Sequence, residues 1–287
     1  MTDSASASAS VVPVGQHTAI ELGGRQLSVH SHAAGPQDGP VVVFVHGSGP
    51  GASGYSNFKG NFRALSEHGF RTLVPDLLGY GHSDKPDEED DRYTLRFLAD
   101  GVKAYLDALG VQKCSLVGNS LGGAICVRLA LDEPDRFDKL VLMAPGGLED
   151  RDTYMAMSGI RSMLRCIFGP EGISREGLQK VFSKQLYDSS ALSAGLIEER
   201  YEIAMTQPRR VFETSRVPDQ SGLLEQLTQS VLAFWGVDDQ FCPVSGAMKI
   251  ATGCKDAQVT VLTKCGHWVM VEHRDLFNRR CAEFLKA

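Results

Sequence analysis

Short apolar runs of strand length alternate along the chain with longer stretches of helical spacing. Residues 41–45 read Val-Val-Val-Phe-Val, and comparable runs fall at 70–75, 114–118, 138–144, 231–235 and 259–262. The run 41–45 is continuously apolar, the pattern of a strand covered on both faces. Helical spacing over 58–67, 95–109, 124–131, 244–251 and 275–286 fills the gaps between them. Residues 18–22 and 26–32 flank Gly23-Gly24 and predict an N-terminal hairpin. Strand and helix in regular alternation predict an α/β fold with a doubly wound, mostly parallel sheet. The rhythm stops from about 147 to 216, where helical patterns and turn breakers occur without an apolar strand run. That region predicts a helical lid over 148–216, inserted between core segments 16–147 and 217–287.

Composition narrows the function classes. At 287 residues and 43% hydrophobic content, the chain can bury one large core. A net charge of −6 with no basic stripe excludes a nucleic-acid footprint. No apolar run approaches the roughly 18 residues of a membrane span. The alanine-serine alternation at the start lacks a basic n-region and an apolar h-region, so residues 1–15 predict a disordered tail rather than a signal peptide. Seven cysteines without C-x-x-C spacing suit reduced thiols in a cytoplasm and indicate no zinc site. The acidic run 87–91 predicts a solvated loop.

In such a sheet, ligands gather at the carboxyl ends of the strands. Four strand ends carry polar or glycine-rich sequence: 47–51, 119–120, 238–239 and 266–268. Gly118-Asn119-Ser120-Leu121-Gly122-Gly123 is a G-x-S-x-G elbow, whose tight strand-to-helix turn needs small neighbours and lifts a serine clear of the backbone. A serine hydroxyl needs a base, and the base an orienting acid. His267 follows the last strand, and Asp238 and Asp239 follow the one before it; spacing alone leaves either aspartate as the acid. The order serine, aspartate, histidine is that of α/β hydrolases. The backbone N–H of Leu121 supplies one oxyanion donor and the loop 46–51, most simply Ser48, the other. His46 reads as a brace of that loop, and Cys265 as a small apolar filler.

Larger pieces make the pattern specific: His46-Gly-Ser-Gly-Pro-Gly-Ala-Ser-Gly-Tyr-Ser-Asn-Phe58, Leu142-Met-Ala-Pro-Gly-Gly147, Trp235-Gly-Val-Asp-Asp-Gln-Phe-Cys-Pro243, and Lys264-Cys-Gly-His-Trp268 with Glu272-His273. With these, the chain from Val41 onward resembles the meta-cleavage product hydrolases, carbon–carbon bond hydrolases of the α/β-hydrolase fold. The resemblance implies Ser120, Asp239 and His267 as catalytic residues, choosing the second aspartate. It implies Asn57, Asn119, Arg200 and Trp268 as the subsite for the dienoate end of a 2-hydroxy-6-oxohexa-2,4-dienoate. It implies a small-molecule substrate, no metal and no organic cofactor, and relatives of this kind often form homo-oligomers. Leu121 stands where many relatives carry methionine, a harmless change for a backbone donor. The 216–224 link is shorter than usual, which bears on how the lid is attached.

An esterase or acyltransferase would share the triad without needing Asn57, Arg200 and Trp268 together. A catalytically silent ligand-binding module would be marked by a broken triad. An epoxide hydrolase or dehalogenase would carry an aspartate in place of Ser120. The front of the lid holds Met155, Met157, Ile160, Met163, Leu164, Ile167 and Phe168. This apolar group either docks the lid onto the core or forms a pocket, and the pocket reading predicts a bulky C6 substituent in preference to the semialdehyde.

Overall fold

The computed structural model describes residues 14–287, so the expected tail, apart from Val14 and Gly15, lies outside the described residues. Eight strands form one sheet: β1 (Gln16–Leu22), β2 (Arg25–Ala34), β3 (Val41–Val45), β4 (Arg71–Pro75), β5 (Cys114–Asn119), β6 (Phe137–Met143), β7 (Ser230–Gly236) and β8 (Ala257–Leu262). Their order is β1-β2-β4-β3-β5-β6-β7-β8. The β1–β2 and β2–β4 pairs are antiparallel and the others parallel. The carboxyl ends of β3, β5, β7 and β8 therefore share one edge.

The continuous apolar runs arise because each strand feeds two cores. Side chains alternate across a strand, and in β3 Val43 and Val45 join one buried cluster while Val42 and Phe44 join the other. The first cluster takes in α3 (Leu95–Ala108), α4 (Leu121–Asp132) and α10 (Ser245–Gly253), and the second α2 (Phe62–Ser66), α11 (Val269–Glu272) and α12 (Arg274–Lys286).

The single helix expected over 58–67 is two, α1 (Gly54–Phe58) and α2. A Ser53–Ser56 capping box starts α1. The break follows from Asn61, whose amide is drawn to the Met270 carbonyl at 3.0 Å and Asn278 Oδ1 at 2.9 Å. The acidic run is a loop with residues 87–90 exposed, as expected, and only its last residue departs. Asp91 is buried, because Arg25 meets it at 2.6 Å, and Asp87 meets Arg210 of the insertion at 3.2 Å.

Between β6 and β7 lie α5 (Arg151–Ala156), α6 (Ser158–Phe168), α7 (Arg175–Ser183), α8 (Ala194–Ala204) and α9 (Arg210–Glu213), with no strand among them. The base of this insertion is closed by Gln220 N–H on the Gly147 carbonyl at 2.7 Å. Leu95 N–H adds a bond to the Arg216 carbonyl at 3.1 Å, so the 216–224 link is pinned at its start and at its middle.

Candidate active site

Ser120 sits between β5 and α4 with φ 55° and ψ −119°, in the left-handed half of the map that side chains rarely occupy. The turn is held by its N–H on the Met143 carbonyl at 3.0 Å and by Gly146 N–H on its own carbonyl at 2.9 Å. Asn119 is buried beside it and gives its amide to the Met143 carbonyl at 3.2 Å. Asn119 thus braces the elbow.

The loop after β7 separates the two aspartates. Asp238 is exposed, whereas Asp239 is buried and faces His267 Nδ1 at 2.7 Å. The other oxygen of Asp239 accepts from the N–H groups of Phe241 and Cys242 at 2.7 and 3.0 Å. One carboxylate thus fixes both its own turn and the imidazole. Phe241 stacks on His267 at 5.2 Å. No hydrogen bond joins Ser120 Oγ to His267, in keeping with catalytic contacts that tighten only around substrate.

Ser48, Ser120 and Leu121 line one cavity of about 590 Å3. Of the apolar group at the front of the insertion, Met155, Ile160, Leu164 and Phe168 face it, together with Tyr154 and Phe212. Spacing of four along α6 puts Ile160, Leu164 and Phe168 on one stripe. Met163 packs against the second core cluster with its sulfur beside Gly49 of the oxyanion loop, Ile167 is buried away from this cavity and lines a smaller one with Ile173, and Met157 caps a helix end. His46 braces the oxyanion loop from both nitrogens: Nδ1 meets the Gly47 carbonyl at 2.7 Å, and Nε2 accepts from Leu77 N–H at 3.0 Å. Burial drives its pKa down to about 4, so the ring stays neutral. Cys265 is fully buried, and burial pushes its thiol up, away from nucleophilic character.

Arg200 is a buried charge without a counter-ion among the described residues. It is 1% exposed, yet its guanidinium finds only Ser56 Oγ, at 2.8 Å, and Nε has no partner. Among the described residues no carboxylate forms an ion pair with it, and desolvation lowers its pKa to about 10. The guanidinium lies 4.9 Å from the Phe182 ring and 5.7 Å from that of Trp268. Asn57, next to Ser56 on α1, is buried with its own oxygen unpaired. Asn57 and Trp268 line a second, smaller cavity of about 140 Å3. The structure thus gathers Asn57, Arg200 and Trp268, but apart from the cavity beside Ser120. Helix α8 reaches this depth because Gly51 has no side chain: a Cβ there would fall 1.8 Å from the Arg200 carbonyl oxygen.

Sequence reasoning assigned no role to Ser56, Phe182, Gln185 or Glu272, although Ser56 and Glu272 fall within its motifs. Ser56 had a signal in the Ser53-x-x-Ser56 spacing, and Glu272 in its place four residues after Trp268. Phe182 and Gln185 lie in the insertion, where no motif points to them.

A family model described as the alpha/beta hydrolase fold matches residues 40–274. The 2-hydroxy-6-oxo-6-phenylhexa-2,4-dienoate hydrolase of Burkholderia cepacia is 34% identical over 277 residues, covering 93% of this chain and 94% of that protein. A 2-hydroxy-6-oxononadienedioate/2-hydroxy-6-oxononatrienedioate hydrolase from Pseudomonas sp. is 35% identical over 268 residues, covering 90% and 92%. The solved meta-cleavage product hydrolase of Pseudomonas fluorescens IP01 superposes with a TM-score of 0.81 at 28% identity, covering 95% and 98%. The chain belongs to the meta-cleavage product hydrolases, within the α/β-hydrolase fold.

Proposed function

We propose that this chain hydrolyses the C5–C6 bond of a 2-hydroxy-6-oxohexa-2,4-dienoate, giving 2-hydroxypenta-2,4-dienoate and a carboxylic acid. The observation that carries the reading is Arg200. A buried guanidinium without a carboxylate is unfavourable unless a ligand supplies the anion. A bidentate substrate carboxylate fits that need, with Asn57 and Trp268 beside it. Asn119 contributes through the elbow.

Direct cleavage would leave a vinyl carbanion, so a proton first moves from the 2-hydroxyl to C5, giving a keto tautomer that can accept the electron pair. His267, oriented by Asp239, shuttles that proton. Ser120, deprotonated by His267, then attacks the C6 carbonyl, and the N–H groups of Leu121 and Ser48 receive the oxyanion. Collapse breaks C5–C6, and water releases the acyl group from Ser120. These steps draw on no metal or organic cofactor.

Residues 148–216 act as the lid over core segments 16–147 and 217–287. The 590 Å3 cavity, with its Ile160, Leu164 and Phe168 stripe, suits a bulky apolar C6 group. Its lining also carries Glu149, Asp150, Glu213 and Asp219 beside Arg151 and Arg216, with Glu149 paired to Lys249 at 2.7 Å and Glu213 to Arg209 at 2.9 Å. Seven unpaired cysteines fit a reducing cytoplasm, and a homo-oligomer accords with the family.

The test is loss of the dienolate chromophore across a panel of substrates. A phenyl-substituted or seco-steroid dienone is expected to exceed 2-hydroxymuconic semialdehyde in kcat/KM. A semialdehyde preference of about tenfold or more overturns the C6 reading. Hydrolysis of a nitrophenyl ester with no dienone cleavage overturns the reaction itself and leaves an esterase.

A further inference from the structure

Two restraints of different origin fix the imidazole. Asp239 and Phe241, from the core, hold the ring. The backbone that carries it is held by the insertion. The Gln185 carbonyl accepts from the N–H groups of His267 and Trp268, at 2.7 and 3.2 Å. Glu272 bridges the same two segments, one oxygen to each side. Its Oε2 accepts from Gly266 N–H at 2.6 Å, while Oε1 accepts from Tyr187 and Asp188 N–H at 2.8 and 3.1 Å. The approach is close enough that a Cβ on Gly266 would lie 2.5 Å from the Gln185 carbonyl oxygen and 2.9 Å from the Leu186 carbonyl carbon.

We propose that Glu272 is a positioning residue that couples the docking of residues 185–188 to the placement of the His267 imidazole. The carboxylate ties three backbone donors across the joint, and charge-assisted bonds of this kind are about twice as strong as neutral ones. With it in place, His267 is registered on both core and insertion. Without it, the Gly266 and Tyr187 segments separate and the imidazole drifts from the serine. A misplacement of about 1 Å can lower turnover roughly 100-fold. The inference rests on His267 as the base in the proposed reaction, and not on the identity of the C6 group.

The experiment compares Glu272→Ala and Glu272→Gln with the parent enzyme, on a phenyl-substituted dienone and on a nitrophenyl ester. Glutamine keeps the volume and one acceptor but turns an amide against the other side, so it breaks the bridge without opening a hole. Both variants are expected to lose about 10- to 100-fold in kcat on both substrates, with KM within about threefold. The amides of Gly266, Tyr187 and Asp188 are expected to exchange faster as a group. A glutamine variant within about twofold of the parent kcat overturns the proposal, since volume alone would then suffice. So does a rise in KM at unchanged kcat. Should alanine fail to fold, glutamine decides. A parent inactive on the dienone refutes the dienoate reading, while the ester still tests the coupling.

Discussion

The two ends of the proposed site are built on opposite principles. At one end Arg200, Asn57, Ser56 and Trp268 form a buried polar group with unpaired atoms. At the other, Tyr154, Ile160, Leu164, Phe168 and Phe212 line a roomy apolar cavity. The polar end stores unfavourable desolvation that only a matching anion relieves, so it tolerates little change. The apolar end rests on dispersion and displaced water, which scale with area and forgive substitution. Chemistry common to a family belongs at the first end, and differences of substrate at the second.

The largest effect is expected at the junction. Ser120→Ala is expected to lower turnover about 10⁶-fold while the dienolate still binds, read from its shifted absorbance; turnover within about tenfold of the parent would sink the serine mechanism. Next comes the acid. Asp239→Asn is expected to cost about 10⁴-fold in kcat, whereas Asp238→Asn changes little, because only Asp239 meets the ring; equal losses would undo the assignment.

Arg200→Ala sharpens the contrast between the ends. Dienone kcat/KM is expected to drop about 10- to 100-fold, the worth of a hydrogen bond to a charged group, with nitrophenyl ester hydrolysis largely intact. Loss of both activities would mean the insertion had collapsed. Leu164→Ala probes the apolar end, with roughly a tenfold loss for the phenyl dienone and none for the semialdehyde. A loss shared by both substrates would show that the stripe serves docking alone.

The mildest effect is on acidification. His46 has its folded pKa lowered to about 4 from 6.5. Its contribution to stability is therefore full above 6.5 and is lost as pH falls toward 4, because the unfolded chain takes up the proton first. Between pH 7 and 5.5 this amounts to about 1 kcal/mol, seen as a Tm a few degrees lower. In His46→Asn that part of the slope is expected to disappear.

Much of the core was legible because its signals are local. The run 41–45 reads as a doubly covered strand, and Gly118 to Gly123 as an elbow, without knowledge of anything distant. What was not legible depends on partners far along the chain. The break between α1 and α2 comes from Asn61 reaching Met270 and Asn278, more than two hundred residues away. Asp91 is buried only because Arg25 arrives beside it. Spacing could not choose between Asp238 and Asp239, since adjacent residues at a loop differ only in which way the turn points them. Arg200 shows the same limit: its helix reads as ordinary, and its burial follows from where α8 docks.

The close approaches at Gly51 and Gly266 bear on how such proteins can be rebuilt. Each leaves a notch in a core loop, one filled by the backbone of Arg200 and the other by that of Gln185. An insertion transplanted from a relative would have to bring main chain to both notches at once, whatever its side chains. Chimaeras joined at 147 and 217 therefore have a two-point fit requirement, and a donor lid that meets it can carry a new pocket onto an unchanged catalytic core.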